Sequence, residues 1–224
     1  MRGAVLYAPG DVRVEERDDP RIIEPTDAIL QLSAACVCGS DLWPYRGVEP
    51  VQGPSPMGHE YVGIVQEVGS QVTSITPGQL VVGSFWASDN TCELCQAGYQ
   101  SACIHREPMG ALGAQAELLR VPLADGTLVA TPDVPADDLV PSLLAASDVL
   151  GTGWFGAVAA EAGPGKTVAV VGDAWWSPSS PGRPCRCSGF RDVLHPISVL
   201  CQLDQRHRWH GQVEGELDGP AGGF

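Results

Sequence analysis

The chain is short of positive charge. It has a single lysine, Lys166, and only 13 Lys+Arg against 27 Asp+Glu, for a formal net charge of −14. A surface of that sign repels phosphate backbones and anionic headgroups, which argues against nucleic acid and acidic membrane surfaces as partners. Acidity of this kind otherwise serves solubility. Long apolar runs are missing too: nothing approaches the roughly 18 residues of a membrane-spanning helix. The opening stretch, MRGAVLYAPGDVRVEERDD, lacks the apolar region of a secretory leader. A cytoplasmic protein is therefore expected. In that reducing compartment the eight cysteines point to metal binding or catalysis rather than to disulfides. No internal repeat is present.

With 224 residues, 44% of them hydrophobic, the chain is long enough for one large domain or two small ones with a real core. Composition shifts after Asp173. Residues 174–224 hold three of the six Trp, three of the eight Cys and three of the five His. Their five basic and five acidic residues cancel, so residues 1–173, with 8 basic and 22 acidic, carry the whole net charge.

The body reads as many short strands. Residues 2–7 and 12–17 alternate around a Pro9-Gly10 turn, and 27–36 form a further strand. CGSDLWPYRG reads as a short helix or turn. Residues 61–68 and 80–86 are strongly β, separated by Pro77-Gly78, and 115–121 supply one more strand. Such a series with Gly/Pro turns predicts a partly closed β-barrel. From 135 to 161 the pattern turns helical, with Asp137 as N-cap. GPGKTVAVVGD then reads as a turn and a buried strand of the parallel-sheet kind.

Cys38, in CGSD, and His59, in GHE, are the first residues able to do chemistry. Both ligate zinc well, and a catalytic zinc takes three protein ligands and keeps one position open. On spacing alone, a lone Cys and a lone His read at least as readily as structural residues.

The surrounding motifs decide between these readings. CGSDLW, then GHEYVGIVQEVGSQVTSITPGQLVV, then SDVLGTGWFGAV resemble the zinc-dependent medium-chain alcohol dehydrogenases, in their formaldehyde-dehydrogenase-like branch. The resemblance covers 1–172 and implies a mainly β fold: a GroES-like, partly closed barrel with flanking helices. It implies Cys38, His59 and Asp148 as ligands of a catalytic zinc, with Glu60 beside the histidine and able to exchange onto the metal. Ser40 matches the hydroxyl that takes the alcohol proton, Asp41 the carboxylate that orients the histidine, and Thr152 a residue touching the nicotinamide. Trp43 departs from relatives that carry a histidine there; it cannot relay a proton and reads as a wall of the substrate pocket. Relatives also bind a structural zinc through Cys-x2-Cys-x2-Cys-x7-Cys. Here Cys92, Cys95 and Cys103 are in register and Asp89 stands at the first position, an acceptable Cys3Asp set. The alternatives are an empty lobe of reduced thiols and, for Asp148, a helix-capping acid.

A Rossmann domain should follow, and its first strand, TVAVVG, ends on Gly172. The dinucleotide fingerprint, Gly-x-Gly-x-x-Gly, needs two more glycines opening a helix. Ala174 and Ser177 replace them, and Pro178, Pro181 and Pro184 oppose the helix. The expected organisation is thus a catalytic zinc domain at 1–163, an incomplete Rossmann strand at 164–173 and an irregular tail at 174–224 of the kind a frameshift or truncated gene copy produces. In the tail, Cys185, Cys187, Cys201, His207 and His210 fit no common zinc motif.

The implied function is interconversion of a small alcohol and aldehyde with zinc and NAD or NADP, in a family expected to form homo-oligomers. This chain alone is expected not to bind the nicotinamide cofactor. The other reading is a non-catalytic zinc-binding remnant or interaction domain.

Overall fold

The computed structural model describes residues 1–51 and 53–163, and the backbone of 167–171, 198–203 and 209–214. The chain divides into two compact units, Met1–Asp148 and Val149–Phe224.

The first unit is mostly sheet, as its sequence predicts. Its strands are β1 (Arg2–Ala8), β2 (Asp11–Glu16), β3 (Ala28–Ala35), β4 (Ser55–Pro56), β5 (Tyr61–Val68), β6 (Leu80–Gly83), β7 (Trp86–Ala87), β8 (Glu107–Pro108), β9 (Leu118–Val121) and β10 (Leu128–Ala130). Four short helices interrupt them: α1 (Leu42–Tyr45), α2 (Glu93–Gln96), α3 (Ala124–Thr127) and α4 (Val140–Ala145). A five-stranded sheet runs β10-β6-β5-β3-β9 and a three-stranded sheet β2-β1-β4, with β7 and β8 as a separate pair. All pairings are antiparallel. Residues 115–117 join the two larger sheets: Ala4 N–H donates to Gln115 C=O at 2.8 Å, while Leu32 N–H donates to Glu117 C=O at 3.0 Å. That bridge makes the partly closed barrel.

Inside lie Leu30, Tyr61, Val65, Val81, Met109, Leu119 and Val121, all almost completely buried. At about 1.5–3 kcal/mol for each large apolar side chain buried, these residues are the unit's main source of stability. One charged pair shares the interior. Asp27 is fully buried, and its Oδ2 accepts from Arg120 Nε at 2.8 Å and from the backbone N–H groups of Ile23 and Glu24 at 3.0 and 2.9 Å. It ties the loop before β3 to β9.

Two sequence expectations change in detail. The strand foreseen at 80–86 stops at Gly83, and a second short strand begins at Trp86. Tyr61 explains the choice of residue: a Cβ on Gly83 would lie 2.1 Å from its ring. The helical stretch is also broken. It opens with a 3-10 turn at Asp137–Leu139 whose N-cap is Ala136, so Asp137 lies in the first turn rather than at the cap. There its negative charge still faces the favourable end of the helix dipole. After α4 the helix is interrupted at residues 146–148.

The second unit contains α5 (Val149–Ala159) and an antiparallel sheet of β11 (Thr167–Val171), β12 (Ser198–Leu203) and β13 (Trp209–Glu214). β11 lies where the apolar run predicts a strand, but it pairs antiparallel rather than parallel. A valine-rich strand is compatible with either orientation, which its composition does not encode. β12 and β13 fall in the tail, and the sequence reading anticipated neither. Among the described residues, no single helix is long and apolar enough to cross a membrane.

Candidate metal centres

The two clusters read from sequence both assemble, each inside the first unit. Ligand atoms of Cys38, His59, Glu60 and Asp148 lie within 4.8 Å of one another, and so do those of Asp89, Cys92, Cys95 and Cys103.

At the first cluster three pieces of chain converge. Cys38 follows β3 and precedes the 3-10 turn at Gly39–Asp41; its backbone N–H donates to Asp41 Oδ2 at 2.9 Å. His59 and Glu60 immediately precede β5. Gly58 sets their approach: its φ is +91°, and a Cβ there would meet Gln115 at 2.5 Å. Asp148 comes from the break after α4. Ser147 fixes that break, accepting Tyr61 N–H at 3.0 Å and donating to Gly83 C=O at 2.6 Å.

The imidazole is held at both nitrogens. His59 Nδ1 is 3.4 Å from Asp41 Oδ1, and Nε2 is 3.3 Å from Asp148 Oδ2, which also lies 3.6 Å from Cys38 Sγ. Asp41 thus orients the ring from behind, as the carboxylate does in a carboxylate–histidine–metal arrangement, and turns Nε2 toward the other donors. Phe85 closes the side, edge-to-face at 6.3 Å.

The electrostatics call for a cation. Asp148, then Asp41 and Cys38, push the His59 pKa up to about 12. Burial raises the Glu60 carboxyl; Glu60 is 2% exposed, and its Oε1 has no hydrogen-bond partner among the described residues. Burial also pushes the Asp148 carboxyl up, but its contacts with His59 outweigh that and hold it low. Two carboxylates, a cysteine and an imidazole gathered this closely, with one buried oxygen left over, fit a divalent ion that replaces the imidazole proton.

Cys36 is a neighbour the sequence reading missed. Its thiol donates to Glu60 Oε2, and burial followed by that carboxylate raises its pKa far above the usual thiol range. The signal was present in register: Ala35 pairs with Tyr61 at the end of the β3–β5 ladder, so Cys36 falls opposite Glu60.

The remaining expected residues fall as follows. Ser40 is exposed on the 3-10 turn and Trp43, on α1, is 43% exposed. Thr152 lies on α5 in the second unit. Gly172 is outside the described residues, as are Cys185, Cys187 and His207.

The second cluster is built by a loop and α2. Cys92 Sγ is 3.5 Å from Cys95 Sγ and 4.0 Å from Cys103 Sγ. Asp89 Oδ1 lies 3.4 Å from Cys95 Sγ and 3.3 Å from Cys103 Sγ, completing the tetrad. Its other oxygen meets His105 Nδ1 at 2.5 Å. That contact, with N–H donors from Thr91 and Cys92, holds Asp89 well below the usual carboxylate range. Backbone N–H groups of Cys95 and Ile104 lower the Cys92 pKa to about 7, whereas burial lifts Cys95 to about 12. Three sulfurs and a carboxylate gathered this closely suit a tetrahedral structural zinc site. His105 is a second residue missed from sequence; it stands two places after Cys103.

Comparison with known proteins agrees with this geometry. Residues 24–133 match the alcohol dehydrogenase GroES-like domain. The chain is 41% identical to the medium chain reductase/dehydrogenase ucsI of an Acremonium species, over 76% of this chain and 60% of that one. It is 32% identical to a glutathione-independent formaldehyde dehydrogenase of Pseudomonas aeruginosa, over 76% of this chain and 48% of the relative. The alcohol dehydrogenase TADH from Thermus sp. ATN1 superposes with a TM-score of 0.67 at 34% identity, over 74% of this chain and 49% of that structure. The chain thus spans about half the length of most such relatives. Its body is thus similar to the N-terminal GroES-like domain of the zinc-type alcohol dehydrogenases.

Proposed function

We propose that residues 1–163 are the zinc-binding catalytic domain of an enzyme that interconverts a small alcohol and its aldehyde. The observation that carries this is the cluster of Cys38, His59, Glu60 and Asp148, ligand atoms within 4.8 Å, with Asp41 braced behind the histidine. Cys38, His59 and Asp148 would hold the catalytic zinc; Glu60 stands by as a further donor. Two ligand charges then offset those of the ion, leaving the site formally neutral. Zinc there supplies Lewis acidity, polarising the alcohol oxygen and lowering its pKa.

The chain's own residues do the rest. Asp41 keeps the His59 ring in one tautomer. Ser40 takes the alcohol proton, and Trp43 forms an apolar wall of the substrate pocket. Thr152 would contact a nicotinamide ring, NAD or NADP, which would supply the hydride acceptor. Asp89, Cys92, Cys95 and Cys103 would hold a second, structural zinc.

We further infer that this chain by itself does not retain the dinucleotide. A pyrophosphate is held on a glycine-rich helix N-terminus, and after Gly172 the sequence has Ala174, Ser177 and three prolines instead. One nicotinamide contact contributes about 1 kcal/mol net, against about 8 for micromolar binding. The same observation favours a second reading, a non-catalytic zinc domain that docks on another subunit.

Metal analysis of purified protein tests the main claim. Two zinc equivalents are expected, with Cys38→Ser removing one and leaving the other. Protein grown with zinc and carrying none would end the proposal. A fluorescence titration with NADH and NADPH separates the two readings: micromolar binding would support the catalytic one for this chain itself.

A further inference from the structure

We propose that Cys36 is a positioning residue for the first metal centre: its thiol tethers one oxygen of Glu60 and so keeps that carboxylate from closing the position a substrate needs. The inference rests on the zinc reading of the Cys38–His59–Asp148 set.

The β3–β5 ladder fixes the pair. It ends at Ala35 opposite Tyr61, which brings Cys36 against Glu60, and Cys36 Sγ donates to Glu60 Oε2. The backbone of Cys36 is anchored as well, its carbonyl accepting from Gln115 Nε2 at 3.3 Å. Its side chain packs beside Val62, Leu80 and Leu144. Glu60 is buried and has no second partner for Oε1 among the described residues. Glu60 Oε2 is thus tied to Cys36, while a ligand atom of Glu60 lies inside the metal cluster.

Charge explains why such a tether matters. Cys38 and Asp148 already balance a divalent ion. A third anionic ligand would leave a buried net negative charge and fill the coordination position that a catalytic zinc keeps open. A thiol suits the task, being a weak hydrogen-bond donor. Serine at position 36 retains the donor; alanine does not.

The experiment uses the full chain loaded with cobalt(II), titrated with azide and followed by its visible absorption. Azide reports an open coordination position, and the closed sulfur-rich lobe does not respond to it. Cys36→Ala is expected to weaken azide binding by about tenfold, the scale on which groups hydrogen-bonded to metal ligands act. Cys36→Ser should stay within about twofold of the parent, and Cys36→Ala combined with Glu60→Gln should recover most of the loss. Unchanged azide affinity in Cys36→Ala would overturn the proposal. So would a double variant as weak as the single one, because the effect would then not run through Glu60. A parent protein that takes up no cobalt would instead remove the metal reading, and this inference with it.

Discussion

Gly58→Ala joins the fold to the site, because Gly58 sits immediately before the ligand His59. Its φ of +91° is open to glycine but costs an L-residue about 1–2 kcal/mol. A Cβ would also stand 2.5 Å from Gln115 Cγ and 2.8 Å from the Gln115 backbone nitrogen. The side-chain part can swing away. The backbone part cannot move freely, since that nitrogen donates to Met57 C=O at 2.9 Å in the segment joining the two sheets. Overpacking of this kind costs about 1–3 kcal/mol, so the sum is roughly 2–5. At roughly 2–4 °C per kcal/mol for a unit of this size, the melting temperature should fall by about 4–20 °C. Gly10→Ala is the control, having φ +77° and nothing within 4 Å of the added Cβ; it isolates the backbone cost. Thermal melts of both variants, with zinc content measured in parallel, give the answer. Gly58→Ala should melt well below Gly10→Ala and lose the zinc bound near His59 while keeping the lobe's ion. Equal melting points and full zinc content in both would refute the reasoning.

Other outcomes follow from the same contacts. Arg120→Met leaves Asp27 charged, buried and short of its one cationic partner, and should cost about 3–5 kcal/mol in urea unfolding; adding Asp27→Asn should restore part of that, and no restoration would count against the pair. Asp125 is pushed up by burial, but hydrogen bonds from Ser74 and Thr73 outweigh this and hold its pKa below 3.8. A depressed carboxyl stabilises the fold above its unfolded pKa and loses that contribution as pH falls through the folded value. The stability gap between the parent and Asp125→Asn should therefore be constant near neutrality and close below about pH 4; a gap unchanged down to pH 3 would contradict this. Cys95→Ser should remove one zinc equivalent and leave azide binding at the cobalt-loaded first centre intact. Loss of both metals together would show that the two sites are not independent.

Much of the first unit was legible because its signals are local. The run YVGIVQEV occupies β5 at the residues expected, since a strand buried on both faces is a contiguous apolar segment bounded by turns. The metal sets were legible differently. Cys38 and His59 alone decide nothing, and Asp148 lies 110 residues from Cys38, beyond any spacing rule; the surrounding motifs identified all three. The residues that escaped are those placed by register and by breaks. Ser147 matters only because the helix stops there, and nothing in LVPSLLAASDVL marks the stop: it holds no glycine, and its one proline stands in the first turn of α4, where proline is tolerated. Cys36 matters only because one strand ends opposite another.

Those two omissions bear on how the site works. The four ligand side chains come from loops at strand ends and from a helix break, which are the mobile parts of most folds. Here three of them are braced by their neighbours: Cys38 by Asp41 within its own turn, His59 through Gly58 against the Gln115 backbone, Asp148 through Ser147 to both Tyr61 and Gly83. Glu60 is held through a weak donor, the Cys36 thiol. In a site where three ligands must stay and one position must remain available, the strength of each restraint follows the role of the residue it restrains. A carboxylate that has to approach the metal without capping it needs a tether that can give, and a thiol provides one where a guanidinium or an amide would lock it.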